Sequence, residues 1–144
     1  MNKINQAILY SSILIFGISL FQNCFCTSHC INSFLAVLFG FFGITTGGIA
    51  NLCWVANPLL YMSWKTFYKD IKSSLIYSLL ASIISFLFIF ATKVAVDEAG
   101  SPRKIQNLEI GYWLWLSSIC IISTGNSIRY YLEHSKNKNI NKHL

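Results

Sequence analysis

A very long stretch without charge is the feature that most constrains how this chain can fold. No Asp, Glu, Lys or Arg occurs in residues 4–64, and two further gaps cover residues 73–92 and 110–128. Uncharged segments of about 18 or more residues are typical of membrane spans. Charged residues make up only 11% of the chain, against about 25% in an average soluble domain. We therefore interpret the chain as an integral membrane protein.

The first gap is long enough for two spans and each of the others holds one. The predicted spans cover about residues 7–22, 33–56, 74–92 and 110–127. No small-x-small cleavage site follows the first span, so we expect it to be retained rather than removed as a signal peptide. The predicted fold class is all-α, an integral membrane four-helix bundle. It forms a single domain over residues 1–144, with a basic cytoplasmic tail over about 128–144.

The dipeptide Asn57-Pro58 interrupts the second apolar run. A continuous helix over residues 31–64 would be about 50 Å long, against about 30 Å for the hydrocarbon core. Proline removes a backbone donor, and Asn57 can cap a new helix that has Pro58 at its first position. We predict that the second span is broken there and that residues 58–72 continue along the inner headgroups. A half-helix binding site formed by the broken backbone is the functional alternative.

Lys and Arg are concentrated at the N-terminus, between spans two and three, and in the tail. The positive-inside rule then predicts cytoplasmic termini and two outer loops. The spacing of Lys65, Lys69 and Lys72 predicts one helical face in contact with anionic lipid. Orientation and lipid contact account for the net charge of +6, so we do not predict a nucleic-acid partner.

Small and hydroxylated residues form stripes along three of the spans. Such stripes let helices approach closely in lipid. The predicted helix-packing residues are Ala36, Gly40, Gly43, Gly47, Ser74, Ser78, Ser82, Ser118 and Gly125. The same stripes could serve as a surface for the helices of another membrane protein.

The first outer loop is rich in cysteine. Outside the cytoplasm, Cys24, Cys26 and Cys30 would form one disulfide and leave one thiol. A soft-metal site that also uses His29 is the alternative, although the Cys-x-Cys spacing of Cys24 and Cys26 is not the usual one for zinc. The layout also resembles membrane thiol oxidases, which use a Cys-x-x-Cys pair that this chain lacks.

The second outer loop is the most polar part of the chain. It contains the candidate partner-binding residues Asp97, Glu98, Arg103, Lys104 and Glu109. Functional residues often lie on loops that a rigid scaffold positions. We predict that recognition from outside would take place here.

No Asp, Glu, Lys, Arg or His lies in the middle of a predicted span. Coupled transport, haem binding and intramembrane hydrolysis usually need such groups. We therefore predict no enzymatic activity, no cofactor and no metal.

Three short motifs carry a family resemblance: Trp54-x-x-Asn57-Pro58-Leu59-Leu60, Asp97-Glu98-Ala99-Gly100 and Gly111-Tyr112-Trp113-Leu114-Trp115-Leu116. They lie in about residues 51–116, and this part resembles small uncharacterised bacterial four-span inner-membrane proteins. The resemblance implies the bacterial inner membrane as location and implies no activity.

Three functions remain open from the sequence. The first is an accessory subunit or immunity-type protein that binds another membrane protein. The second is a small oligomeric pore or uncoupled transporter lined by Asn51, Asn57 and the hydroxyl groups of span three. The third is a thiol-redox enzyme that uses the cysteines of the first outer loop.

Overall fold

The computed structural model describes residues 3–41, 48–95 and 102–140, and it is mostly helical. The helices are α1 Lys3–Leu20, α2 Ser33–Phe39, α3 Gly48–Leu52, α4 Ala56–Thr66, α5 Ile71–Leu87 and α6 Ile110–Ile140. Two 3-10 turns cover Cys53–Val55 and Phe88–Phe90. The strands are β1 Asn23–Cys26, β2 Cys30–Asn32, β3 Lys93–Ala95, β4 Pro102–Lys104 and β5 Asn107–Leu108. The helical prediction is therefore confirmed, and the strictly all-α class is wrong because short strands occur.

Neighbouring long helices pack antiparallel. α1 lies against α6, where Ser12 Oγ donates to the Ser118 carbonyl at 2.9 Å and Ile8 lies beside Gly125. α6 also packs against α5, and α5 packs against α4. α4, α5 and α6 thus form the centre of the molecule, with α1 on the outer side of α6.

The strands gather at one end of the helices. β1 lies between β2 and β5 in a three-stranded antiparallel sheet, and β3 pairs with β4. In the first sheet Phe25 is opposite Leu108 and Cys26 is opposite Asn107. This pairing joins the loop after α1 to the loop before α6. Both predicted outer loops therefore lie at the same end, as four alternating crossings would require.

Small polar side chains are buried beside the apolar core, while many large apolar side chains lie on the surface. The polar side chains that are almost completely buried are those of Ser12, Ser19, Ser63, Ser74, Ser78, Ser85, Ser118 and Asn126. On α5 the exposed large apolar side chains are Ile76, Leu79, Leu80, Ile83, Phe86 and Leu87. Water-soluble proteins seldom expose so much contiguous apolar surface.

Two of the described helices are long and apolar enough, by length and composition, to cross a membrane. They are Lys3–Leu20 and the helical segment Ile71–Phe90, which includes the second 3-10 turn. They correspond to the first and third predicted spans. α6 begins where the fourth predicted span begins and continues to Ile140, so most of the predicted tail is helical.

The second predicted span is wrong as a single helix. The indole nitrogen of Trp54 donates to the Val37 carbonyl oxygen at 2.6 Å. In one continuous helix these residues would be about 25 Å apart. The chain therefore folds back between α2 and α3. Residues 33–41 lie beside the segment that leads into α4 rather than in line with it.

The predicted break at Asn57-Pro58 is also misplaced. Both residues lie inside the first turn of α4, and the irregular turn is Cys53–Val55 just before it. Proline fits this position because the amide of a first-turn residue has no intrahelical partner. The side-chain oxygen of Asn57 does not cap a helix, because it accepts a hydrogen bond from Trp115 Nε1 at 2.9 Å.

The predicted interfacial helix over residues 58–72 does not form. α4 ends at Thr66, and Asp70 starts α5 by accepting hydrogen bonds from the backbone amides of Lys72 and Ser73 at 3.0 and 3.3 Å. The helix change means that Lys65, Lys69 and Lys72 do not share a helical face. All three are exposed around the α4–α5 turn.

The predicted packing stripes meet different partners in the structure. Ser74 and Ser78 are fully buried. Ser82 is half-buried, and its hydroxyl group bonds only within α5, to the Ser78 carbonyl at 2.9 Å. Ser118 and Gly125 lie on the face of α6 that meets α1.

Of the remaining small residues, two lie in the described part of the second predicted span. Ala36 lies on α2, and Gly40 follows that helix with Trp54 directly against it. A Cβ atom at Gly40 would overlap that ring. Gly43 and Gly47 lie outside the described residues.

Candidate functional site

The described parts of the two predicted outer loops contact each other, and we name them the sheet cap: residues 23–32, 93–95 and 102–109. Its backbone ladder is extended by Gln106 N donating to Cys26 O and by Glu109 N donating to Cys24 O, both at 2.9 Å. Phe25 anchors the cap to the helices, with its ring centroid 5.7 Å from that of Phe88. Backbone hydrogen bonds therefore join the two loops of the cap, and the Phe25 ring joins the cap to the helices.

A disulfide closes the first loop of the sheet cap. Cys26 and Cys30 are opposite each other on β1 and β2 and are bonded, while Cys24 stays a thiol. The loop between them is tightened by Thr27 N donating to the His29 carbonyl at 3.0 Å. The structure thus selects the disulfide-plus-thiol arrangement and identifies the pair, which spacing alone did not.

The remaining thiol is poorly suited to redox chemistry. Burial raises the pKa of Cys24 to about 12, so the reactive thiolate is scarce at neutral pH. A thiol-redox enzyme normally attacks with a low-pKa cysteine. This arrangement weakens the third functional hypothesis.

Glu109 lies beside the disulfide rather than in open solvent. Its side chain is half-buried, and Oε1 lies 3.4 Å from Cys26 Sγ. The Sγ atoms of Cys26 and Cys30 and a carboxylate oxygen of Glu109 all lie within 4.8 Å of one another. Cys26 and Cys30 are separated by three residues, which falls within the usual spacing of zinc ligands. The unfavourable Cys-x-Cys spacing of Cys24 and Cys26 therefore does not count against a metal site at Cys26 and Cys30.

The other residues of the predicted partner-binding loop are arranged on β4. Arg103 Nη1 donates to Ser28 Oγ at 2.9 Å, which links the second loop to the tip of the first. Lys104 is exposed and stands opposite Lys93 across the two strands. Asp97 and Glu98 lie outside the described residues.

A second candidate site lies in the interior, the serine–asparagine cluster of Ser63, Ser74, Ser78 and Asn126. Asn126 Nδ2 lies 2.9 Å from Ser74 Oγ and 3.2 Å from both Ser63 Oγ and Ser78 Oγ. The hydroxyl groups accept from the amide because they donate to carbonyls elsewhere, such as Ser63 Oγ to Ser74 O at 3.1 Å. The cluster joins α4, α5 and α6 at one point.

One atom of this cluster is not satisfied. Asn126 Oδ1 is buried and finds no hydrogen-bond partner within the described part of the chain. The four side chains are fully buried, so no water-sized space touches them. The cluster therefore holds the three helices together and does not form an open binding site.

A third set of polar contacts connects α1 to the same helices. Trp64 Nε1 donates to Ser12 Oγ at 3.0 Å, and Ser12 Oγ in turn donates to the carbonyl of Ser118. The Trp64 ring also meets Phe16 edge-on, with centroids 5.3 Å apart. This chain of contacts attaches α1 through one buried hydroxyl group.

Arg129 closes the end of the bundle opposite the sheet cap. Its Nη1 donates to the Phe67 carbonyl at 2.9 Å, and its guanidinium carbon lies 4.1 Å from the centre of the Phe67 ring. A guanidinium above an aromatic face is favourable. The α4–α5 turn is thereby fastened to α6.

Sequence reasoning missed Asn126, Ser63 and Ser12, which the structure places at the centre of these contacts. A usable signal for Asn126 was its position as the one amide in the predicted fourth span. Polar groups within a span usually face the bundle interior. Ser63 could not be found in this way, because the prediction placed it outside any span.

Comparisons with known proteins add no relative to this description. No protein-family model matches the chain, and neither the curated proteins nor the solved structures contain a match.

Proposed function

We propose that this chain is a small multi-pass membrane protein that works by binding another membrane protein through its sheet cap. An accessory subunit or an immunity-type protein would act in this way. The proposal includes no catalytic activity and no resident cofactor. The proposed location is a bacterial inner membrane, with the sheet cap outside and both termini in the cytoplasm.

The many buried serines and the exposed apolar side chains support the membrane setting. Buried serines and an asparagine with exposed Leu, Ile and Phe are expected when the surroundings are lipid tails and helices associate through small polar groups. The same surface in water would be a large aggregation hazard. We propose four crossings, formed by α1, α3 with α4, α5 and α6.

The second crossing moves relative to the sequence prediction. Gly48–Thr66 spans 19 residues, or about 28 Å at the helical rise, which matches a hydrocarbon core of about 30 Å. α2 then lies near the sheet cap, since Ser33 N donates to the Gln22 carbonyl at 2.8 Å. Phe34, Leu35 and Leu38 are exposed on it and suit the outer interface.

One observation carries the partner-binding proposal: β1, β2 and β5 join the two outer loops in one three-stranded sheet, and a disulfide closes it. A surface already held in one conformation loses little entropy when it binds, which favours affinity. In the described strand order β2 and β5 are the edges. A partner strand could pair with such an edge. A solvated loop without function would not require this bracing.

The pore alternative has less support within a single copy. Ser74 and Ser78 are fully buried and engaged by Asn126, and Asn57 is engaged by Trp115. The side chains proposed to line a path are therefore used to pack helices. A pore would have to form between copies.

The test is a mild-detergent pull-down of the tagged chain from its native membrane, analysed by mass spectrometry. We expect one stoichiometric partner. Lys104→Glu, on the exposed side of the sheet cap, should reduce its recovery, whereas Lys136→Glu, on the exposed far end of α6, should not. Recovery of the chain alone as a defined oligomer would contradict the proposal and favour the pore.

A further inference from the structure

We propose that Cys26, Cys30 and Glu109 form a redox-gated zinc site, of which the disulfide is the closed state. In the reduced state the two thiolates and the carboxylate would bind one Zn²⁺ and leave its fourth position open. This inference goes beyond the proposed function and does not depend on it, because it concerns the chemistry of the sheet cap itself.

The position of the Glu109 carboxylate is the first argument. It lies 3.4 Å from the Cys26 sulfur, yet a disulfide has no proton to donate to it. A half-buried carboxylate usually faces a cation or a donor. The contact that the structure gives this carboxylate therefore has no stabilising role in the oxidised state.

Distances in a tetrahedral zinc site provide the second argument. With Zn–S bonds of about 2.3 Å and Zn–O bonds of about 2.1 Å, sulfur and oxygen ligands stand about 3.6 Å apart, and two sulfurs about 3.8 Å. The Glu109 oxygen and the Cys26 sulfur are already at nearly that separation. All three ligand atoms already lie within 4.8 Å of one another, so breaking the sulfur–sulfur bond leaves only short movements to the ligand positions.

The backbone holds the three ligands together whether or not the sulfurs are bonded. Cys26 and Cys30 are paired residues of β1 and β2. Glu109 is fixed by its amide, which donates to the Cys24 carbonyl. Reduction therefore need not disperse the ligands.

The ligand set favours zinc over other metals. Two thiolates suit zinc and copper(I), whereas the carboxylate is a hard ligand that zinc accepts and copper(I) does not favour. Three protein ligands with an open fourth position are typical of accessible zinc sites. Water or a side chain of a partner could occupy that position.

The gating step balances in electrons and protons. A dithiol reductant transfers two electrons and two protons to the Cys26–Cys30 bond, giving two thiols and a disulfide in the reductant. Zn²⁺ then binds both sulfurs as thiolates, and the two thiol protons are released to solvent. A disulfide oxidant that accepts two electrons and two protons from the zinc-free thiols restores the Cys26–Cys30 bond and becomes a dithiol itself.

The test uses the full-length protein purified in detergent, reduced with a phosphine and titrated with Zn²⁺ and with Co²⁺. We expect one metal ion per chain and a thiolate-to-cobalt charge-transfer band. The oxidised protein should bind at least about 100-fold more weakly, because its sulfurs are not thiolates. Equal binding by the oxidised and reduced forms would overturn the proposal, and so would an absence of binding by the reduced form.

Variants separate this site from adventitious binding. Cys26→Ser and Cys30→Ser should each abolish the charge-transfer band or halve its intensity, and Glu109→Gln should lower zinc affinity by about 10- to 100-fold while keeping the band. Cys24→Ser and Glu133→Gln are the matched controls and should change neither. Unaltered affinity in Glu109→Gln, or loss of binding in Cys24→Ser with helical content retained, would overturn the three-ligand assignment. The circular dichroism spectrum of each variant checks that it is folded.

Discussion

The sheet cap and the serine–asparagine cluster are stabilised in opposite ways. The cap depends on backbone pairing and one covalent bond, between Cys26 and Cys30. The cluster has neither, and it joins three helices through the amide of Asn126 and serine hydroxyl groups. Backbone pairing suits a watery surface where loops must be ordered. Side-chain hydrogen bonds suit a lipid setting, where helices already satisfy their own backbones.

The difference also separates what each region can do. The cap presents exposed side chains in a fixed arrangement, so it can recognise a partner. The cluster is closed to solvent, so it can only hold helices together. Function and stability are therefore expected to respond to different mutations.

The largest effect is expected where α6 begins beside the sheet cap. A Cβ atom at Gly111 would lie 2.5 Å from the backbone oxygen of Asn23, so Gly111→Ala should destabilise the fold by about 3 kcal/mol through overpacking. Gly17→Ala is the control, because nothing lies within 4 Å of a Cβ atom there. Denaturant unfolding in detergent measures both. Equal stability of the two variants would show that α6 does not contact the cap in this way.

Removing the amide of the cluster should have the next largest effect. Asn126→Ala should cost about 2 kcal/mol, because its two N–H groups lose interhelical hydrogen bonds worth about 0.6 kcal/mol each and the truncation leaves a buried gap. Ser117→Ala should cost less than about 0.5 kcal/mol, because that exposed hydroxyl group bonds only to the Trp113 carbonyl of its own helix. The comparison uses the same unfolding assay. A neutral Asn126→Ala would mean that the cluster does not join the helices.

Opening the disulfide should affect the cap alone. Closing so short a loop is worth about 2 kcal/mol, so the double variant Cys26→Ser/Cys30→Ser should lower, without abolishing, the hydrogen-exchange protection of β1, β2 and β5. α5 and α6 should keep theirs. Loss of protection in those helices as well would contradict the independence of the two regions.

The contact between α1 and the core is expected to be weaker. Trp64→Phe removes the hydrogen bond to Ser12 and keeps a ring beside Phe16, so we expect a loss of about 1 kcal/mol. Trp113→Phe, at an exposed position, should change stability very little. Both substitutions remove a tryptophan and so change the fluorescence directly. Thermal unfolding is therefore followed by circular dichroism.

The smallest effect concerns pH at the end opposite the cap. The hydroxyl group of Ser73 and the amides of Ser73 and Lys72 lower the pKa of Asp70. The stabilisation is therefore present at neutral pH, above the unfolded-state pKa of about 3.9, and is lost as the pH falls through the lowered folded-state pKa. Asp70→Asn should flatten this acid-side loss in melting curves between neutral pH and about pH 3. Glu133→Gln is the control; a wild-type slope in Asp70→Asn would refute the assignment.

Helical character and one of the packing stripes could be predicted from the sequence, because both follow from local composition. The long uncharged gaps predicted α1 and α5 closely, and the serine spacing predicted the buried face of α5. The fold-back of the second apolar run could not be predicted. It depends on Trp54 reaching Val37, a contact that no local pattern encodes.

The candidate site was predictable only in part. The cysteines and Glu109 were each singled out, but in different loops and for different roles. Glu109 lies beside the disulfide because β1 pairs with β5. Cys26 and Glu109 are 83 positions apart in the sequence, so no local pattern could show that they are close. The start of α5 was readable, since Asp70 before an apolar run is a capping signal. The prediction of one interfacial helix over residues 58–72 did not take this capping signal into account.

Side-specific cysteine labelling tests the central claim most directly. Single cysteines would be placed at Ser28, Lys69, Gln106 and Lys136 in a chain without native cysteines, and intact cells treated with an impermeant maleimide. The account predicts labelling of positions 28 and 106 from outside, and of positions 69 and 136 only after the membrane is opened. Labelling of positions 28 and 69 from the same side, or of all four without opening the membrane, would contradict four crossings with an external sheet cap.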